Sequence, residues 1–538
     1  MRSRHLACPS FFALGVLVIC GCVSPESASK SADSEAYELL ETRRMELFGP
    51  AGEFRINPPE NSLRQRILRR EIASLPPLDL VDCLEIAAEN SRDFQSQKEQ
   101  LYGASLSLTL EQWKFGTQFT VDAATTRAGS EGADAQDDAS VSLGMSRLLG
   151  TGAQVVASVG SSLFRVVRDG EGWAVMRDAS FSITQPLLGG SARAVVREPL
   201  TQAERDLVYQ VRTFERFRRS FAFDVASRFY QLLASANTVA NEEANFEGLI
   251  LLSRRNRALA EAGQLSDIEA DQARQDELES ENRLLVLREN LSRQLDEFKL
   301  FLGIPVETIV ALAPTGGDEE PLGEDPLFQV GEDQALGLAL SRRLDYLNVA
   351  DSVIDAERRV EVSAEALRMG LDLEASAENS GSSATAWAAG FSFDLPVNRI
   401  PERNAFRNSQ IDLETARRNE QETRDKIHAD LRDEIRGLRN ARQGYEIQKN
   451  AAELAKQRVA STELSLEAGR SNTRNVLEAR RSLVAAQDSA NSALTDWILA
   501  RISFHHQMEL LSLGEKGFLL DSGNLLSTPA AKLDESRD

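Results

Sequence analysis

The chain has 538 residues, 42 % of them hydrophobic, with a formal net charge of −22 and a pI near 4.9. It is long enough to bury large cores. Its acidity speaks against nucleic acid as a partner, and against binding to an anionic membrane surface, because a negative surface is repelled by both.

The first stretch is an address label. Arg2 and Arg4 precede an apolar run from Phe11 to Ile19, followed by Ile19-Cys20-Gly21-Cys22. This is the pattern of a secretory signal, and the run is too short to be a transmembrane helix. Its last four residues resemble a bacterial lipobox, with Cys20 an unusual occupant. The resemblance implies that residues 1–21 are a lipoprotein signal peptide and that Cys22 becomes a lipidated N-terminus. Because Val23 stands where an Asp would favour inner-membrane retention, it also implies an outer-membrane destination. An ordinary secretory signal with a coincidental cysteine is the other reading. With Cys22 lipidated, Cys83 is the one thiol left in the mature chain, so an intrachain disulfide is excluded by counting.

Residues 22–78 contain Pro25, Pro50, Pro58, Pro59, Pro76 and Pro77 and read as an N-terminal tether with one short helix around Leu63 to Ile72. From Leu80 to Trp113 the pattern is helical and free of proline. Period-two runs follow: Phe119, Val121 and Ala123; Val141, Leu143 and Met145; Val155, Ala157 and Val159; Phe181 and Ile183, ending at Gln185-Pro186-Leu187. The second half has two more, Leu371 to Ala377 and Trp387 to Leu395. Runs of about ten residues suit tilted strands crossing a bilayer as a closed barrel. A soluble β-domain with one wet face is the alternative.

A duplication organises the rest. Glu261-Ala262-Gly263 recurs as Glu467-Ala468-Gly469, an offset of 206, and at that offset Val225, Leu232 and Val239 land on Leu431, Leu438 and Tyr445. A generic coiled-coil heptad is the competing explanation. Each half predicts a long helix opened by Pro199 or Pro401, about 95 to 100 Å long at 1.5 Å per residue. A turn at the glycine and a returning helix follow, 267–302 and 473–513, closed by Gly303 and Gly514. Ser266 and Glu269 form a capping-box pattern. The helical pattern 335–368 would stack end to end with a returning helix, as would 80–113.

This order, present twice after a lipobox, resembles the TolC family of outer-membrane channel proteins, its lipoprotein branch in particular. Phe181-Ser182-Ile183-Thr184-Gln185-Pro186-Leu187 and its echo Phe391-Ser392-Phe393-Asp394-Leu395-Pro396-Val397 look like the family's strand endings, and 262–266 and 468–471 look like its hairpin tips. The implied fold is mainly α: a long α-helical coiled-coil barrel plus a transmembrane β-barrel, internally duplicated and trimeric. The first repeat would span 79–304, an equatorial connection 305–332, the second repeat 333–514 and a C-terminal tail 515–538. Family barrels have four strands per protomer, twelve in all. The hairpin at 139–163, turning at Gly150-Thr151-Gly152, is extra, and would either enlarge the barrel or lie outside its wall.

The resemblance also implies roles. The tips Gly263, Gln264, Leu265, Gly469, Arg470 and Ser471 would dock a periplasmic adaptor protein, itself fed by an inner-membrane pump. Asn475 and Glu478 fall at the periplasmic aperture, where a ring of carboxylates would favour cations; only one of the two is acidic, and Glu478 also reads as a plain helix-face residue. Asp122, Asp372, Glu374 and Glu378 alternate with the apolar strand residues and would line the barrel lumen; a merely solvated face is the other reading. The expected protein is a lipid-anchored homotrimer in the outer membrane, reaching into the periplasm as a passive duct for small-molecule efflux. The alternatives are the outer-membrane duct of a type I protein secretion system and a non-conducting trimeric lipoprotein spacer. Nothing indicates an enzyme, metal or cofactor: His5, His428, His505 and His506 lack ligand spacing, and no phosphate-binding loop, dinucleotide fingerprint or nucleophile elbow occurs.

Overall fold

The computed structural model describes residues 23–48, 54–57, 61–72, 74–129, 136–166, 174–188, 193–313, 331–381, 384–394, 398–514 and 517–520; Cys22 and 395–397 lie outside them. The chain divides into two compact units, Met1–Ile56 with Glu99–Val211 and Ile354–Glu414, and Asn57–Lys98 with Arg212–Val353 and Thr415–Asp538.

In the first unit, helix α1 (Pro25–Phe48) occupies much of the stretch expected to be a tether. The Ser24 hydroxyl accepts from the Ser27 N–H at 3.2 Å. Pro25 follows at the first helical position, where a missing N–H costs nothing. The proline that suggested a loop is therefore a helix start. Ala36 and Leu40 are buried, the Tyr37 ring packs edge-on against Phe54 at 6.3 Å, and Tyr102 donates to Asp33 at 2.7 Å.

Six strands make one antiparallel sheet in sequence order: β1 (Thr117–Ala128), β2 (Gln136–Leu148), β3 (Gln154–Val166), β4 (Ala174–Leu188), β5 (Gly370–Asn379) and β6 (Ala386–Asp394). The extra hairpin lies within the sheet, because β2 pairs along its length with β1 and β3 pairs with β4. Its turn is locked by Gly152, whose φ of +84° is left-handed and whose Cβ, if present, would lie 2.8 Å from Pro186 Cγ. The Thr151 hydroxyl donates to Gln185 Oε1 at 3.2 Å and the Gln185 amide returns a bond to the Thr151 carbonyl at 3.0 Å. The halves meet where β4 pairs with β5, with a register shift between Pro186 and Leu188; Pro186 has no N–H to give the ladder.

The helices of the second unit, some shared with the first, are α2 (Leu63–Leu68), α3 (Leu80–Asn90), α4 (Arg92–Phe115), α5 (Arg193–Glu261), α6 (Asp267–Leu302), α7 (Glu332–Arg342), α8 (Leu344–Glu365), α9 (Ile400–Glu467) and α10 (Thr473–Gln507). The long arms α5 and α9 have 69 and 68 residues, and the returns α6 and α10 have 36 and 35. The duplication is thus one of structure as well as sequence. Its apolar interior includes Phe94, 5.4 Å from Phe221 between ring centroids, and a cluster of Leu431, Ile435, Leu438, Trp497 and Phe504.

Four boundaries differ from expectation. Helix α5 starts at Arg193, so Pro199 lies inside it. Glu198 is held by Arg358 of α8 at 2.5 Å, and this anchorage fixes the extra turn despite the bond the proline cannot make. The pattern 80–113 breaks at Ser91, which is extended (φ −68°, ψ 135°), and 335–368 breaks at Arg343 (φ −62°, ψ 114°). Each break meets the end of a returning helix. Gly303, the left-handed cap of α6, lies against the Asn90 carbonyl, and Arg343 donates to the Gln507 side chain at 3.0 Å. Finally, α10 stops at Gln507 rather than 513. Glu509 takes a left-handed φ of +55°, its buried carboxylate paired with Arg216 and Arg219, and the chain turns into a hairpin of β7 (Leu511–Gly514) and β8 (Gly517–Leu520), where a tail was expected.

Candidate functional site: hairpin tips and an amphipathic sheet

The two tips are built alike. Gly263 and Gly469 have φ of +69° and +68°. Gly263 N–H bonds the Ala260 carbonyl at 2.9 Å and Gln264 N–H the Leu259 carbonyl at 2.8 Å; Gly469 and Arg470 repeat this on Leu466 and Ser465 at 3.0 and 2.8 Å. This paired pattern satisfies the last carbonyls of each long helix and requires a left-handed residue, hence glycine. The returns are capped by Ser266, whose hydroxyl accepts from Glu269 N–H at 3.3 Å, and by Asn472, which accepts from Asn475 N–H at 3.0 Å. Gln264 and Arg470 are exposed, whereas Leu265 and Ser471 are partly covered. Ile268, in the first turn of α6, is 71 % exposed. Sequence reading passed over it, although an isoleucine between Asp267 and Glu269 was the signal that could have found it.

Asn475 and Glu478 both face solvent in the first turns of α10. Asn475 Nδ2 donates to Ser471 Oγ at 3.2 Å, and Glu478 is paired with Arg458 at 3.3 Å, which offsets part of its charge. Deeper contacts tie the second hairpin to the first. Arg481 pairs with Asp276, and with Glu279 at 3.1 Å. Asn256 donates to the buried Thr473 hydroxyl at 3.0 Å, and Leu249 and Leu252 pack on Val476 and Leu477. Arg481 has Gln275 as its counterpart in the first copy. That break in the duplication is the sequence signal that could have found it.

The sheet has two unlike faces. Pairing places Phe119, Met145, Ala157, Phe181, Ala377 and Trp387 in one row. This face is bare, with Phe119, Trp387 and Phe391 exposed by 69, 79 and 63 %, an apolar patch of a kind that marks a lipid or partner contact. Asp122, Asp372, Glu374 and Glu378 lie on the opposite face, as do Asp138, Asp178 and Asp394, which sequence reading passed over. Small residues make room there: a Cβ at Gly160 would meet the Asp178 carboxylate at 2.6 Å. The four strand arginines, Arg127, Arg147, Arg165 and Arg177, all lie at strand ends on the apolar face, and Arg165 and Arg127 bracket Asp137 at 2.8 and 3.5 Å.

Among the described residues no group of three or more His, Cys, Asp or Glu side chains could hold a metal, and no helix is long and apolar enough to cross a membrane. His505 and His506 are buried. Burial, then the neighbouring Arg216, Arg343 and Arg219, push the His506 pKa down to about 4. Its ring stacks on Phe223 at 6.0 Å, as a neutral packing residue.

An antiparallel sheet with one apolar and one acidic face, joined to two long helical hairpins, defines the fold of outer-membrane channels. Solved structures with this fold include CusC (TM-score 0.61, 11 % identity, 80 % of this chain and 91 % of that one) and VceC from Vibrio cholerae (0.60, 13 %, 80 % and 95 %). The Campylobacter jejuni CmeC outer membrane channel covers more of this chain (0.59, 14 %, 91 % and 93 %). No protein-family model matches the sequence, and no curated protein matches it. The chain has the TolC-like fold.

Proposed function

We propose that the protein is the outer-membrane channel of a tripartite efflux system, a passive duct that carries small molecules across the periplasm and outer membrane. The observation that carries this reading is the six-stranded sheet, of membrane-crossing length and bare on its apolar face; a bilayer covers such a face if the sheet closes into a barrel. Three copies would close it, with Asp122, Asp372, Glu374 and Glu378 toward water. Cys22 would add a lipid anchor. The tips at Gly263 and Gly469 would dock a periplasmic adaptor, and an inner-membrane pump would supply the energy, since a duct of this kind needs no catalytic group. Near the second tip, Glu478 and Asn475 would lie at the aperture, with the Arg481 contacts helping to hold it narrow.

The test is photo-crosslinking in cells from Gln264 and Arg470, alongside export of a pump substrate. Both positions should capture the adaptor, and Gly263→Val with Gly469→Val should abolish capture and export together while the amount of protein in the outer membrane stays normal. If that double variant leaves export and capture untouched, the docking role of the tips is wrong.

A further inference from the structure

We infer that the hairpin β2–β3 is a full part of the membrane wall, and that the wall closes by pairing of β6 in one copy with β1 in the next, so that three copies form an eighteen-stranded barrel in place of twelve. The inference rests on the trimeric-duct reading for the number of copies. The order and closure of the strands rest on the sheet itself.

The inserted strands are paired on both sides. Val121 faces Leu143, Leu143 faces Val159, and Val159 faces Ala179, so β1 and β4 are separated by two full-length strands, roughly 14 Å at about 4.8 Å per strand. The hairpin also keeps the two-faced pattern of its neighbours. The row Phe119, Met145, Ala157, Phe181, Ala377 and Trp387 is apolar across all six strands, while the adjacent row Thr120, Gly144, Ser158, Ser180, Glu378 and Ala386 is small or polar. A hairpin lying outside the wall would have no cause to hold the lipid–water boundary at the same level. Its turn is further bonded to Gln185, at the base of β4.

The edges then fix the occupant. An open strand edge is not tolerated in the hydrocarbon of a bilayer, and six strands are too few to close alone, since the smallest membrane barrels have eight. With an even number of antiparallel strands, β1 and β6 run in opposite directions, so β6 of one copy beside β1 of another continues the antiparallel order. Both edges carry their large apolar residues on the same face, Phe119 and Val121 on β1 and Trp387, Phe391 and Phe393 on β6, so joining them also continues the bare apolar band. A second copy of this chain satisfies both edges.

Closure with eighteen strands tilted about 40° gives a barrel about 36 Å across between backbones, against about 24 Å for twelve. The lumen face carries Asp122, Asp138, Asp178, Asp372, Glu374, Glu378 and Asp394 and no strand lysine or arginine. Such a mouth suits bulky neutral or cationic solutes and disfavours anions.

Paired cysteines in the full-length protein, oxidised in native outer membranes, test this. Cys83 is buried and can stay in place. Val121→Cys combined in turn with Ala389→Cys, Phe391→Cys or Phe393→Cys should give, in at least one pair, covalent dimers and trimers on denaturing gels. Val121→Cys with Leu143→Cys should bond within one chain, and Val121→Cys with Ala179→Cys should not bond, because cysteines with Cα atoms more than about 7 Å apart cannot be bridged. An intrachain Val121–Ala179 bond would show β1 beside β4, and would overturn the wall order even in a protein that conducts. No interchain product from any β1–β6 pair, with Val121–Leu143 bonded as control, would overturn the closure. A ladder ending at a copy number other than three would overturn the eighteen-strand count and the trimeric duct with it, while leaving the strand order standing.

Discussion

Three glycines share one backbone conformation and differ only in what surrounds them, which separates two costs that are usually mixed. Gly263, Gly469 and Gly303 end helices with φ of +69°, +68° and +79°. An alanine in that region costs roughly 1–2 kcal/mol. At the two tips a Cβ meets nothing within 4 Å, so the conformational cost is the whole cost; at Gly303 it would lie 2.0 Å from the Asn90 carbonyl oxygen and 2.4 Å from its carbon. Those atoms belong to the break between α3 and α4, which cannot rotate away like a side chain, so an overpacking cost of about 1–3 kcal/mol or more is added. Amide hydrogen exchange of the full-length protein reads each local opening separately. Gly263→Ala and Gly469→Ala should each speed exchange around their own tip by about 5- to 30-fold. Gly303→Ala should speed it by more than about 100-fold at both 299–304 and 85–92. A Gly303→Ala variant no worse than the tip variants, or one whose effect does not reach Asn90, would refute a backbone clash at Gly303.

His506 makes stability depend on acid. Its pKa is about 4 in the folded chain against the ordinary 6.5, so the unfolded chain takes up the proton first as pH falls. The stability it contributes is intact above pH 6.5 and lost between 6.5 and 4, by about 2 kcal/mol at pH 5. His506→Phe should flatten the fall in unfolding temperature between pH 7 and 5, and an unchanged slope would contradict the assignment. Glu509→Ala should cost about 1.5–3 kcal/mol, measured as a lowered unfolding temperature, because it removes the buried carboxylate shared by Arg216 and Arg219 and leaves them only Asp345 at 3.2 Å and Glu215 at 3.8 Å. Cys22→Ser should abolish metabolic labelling by palmitate; persistent label would sink the lipid anchor.

Patterns governed by local periodicity were legible in the sequence. Period-two alternation marked all six long strands, and the offset of 206 carried Gly263 onto Gly469 and Glu261 onto Glu467, where the long helices end. What escaped depended on contacts distant in sequence. Pro25 looks like loop punctuation until Ser24 is seen to cap a helix that Tyr37 and Leu40 pin down. The breaks at Ser91 and Arg343 have no proline or glycine to announce them, because their cause is a helix end arriving from more than 150 residues away. For the hairpin turning at Gly152, sequence left its place open, and the pairing of β2 with β1 puts it within the sheet. Of the site, the acids on β5 were readable from alternation, while Arg481, whose partners Asp276 and Glu279 lie on α6, left only a break in the duplication opposite Gln275.

As a duct, the protein should conduct ions. Purified protein in a planar lipid bilayer should show small cation-selective currents, and Arg481→Ala, which removes the ties to Asp276 and Glu279, should lengthen or enlarge the open events while Glu478→Ala weakens their selectivity. Silence from the native protein and from Arg481→Ala alike, in preparations that are folded and inserted, would contradict the duct and leave a spacer that passes nothing.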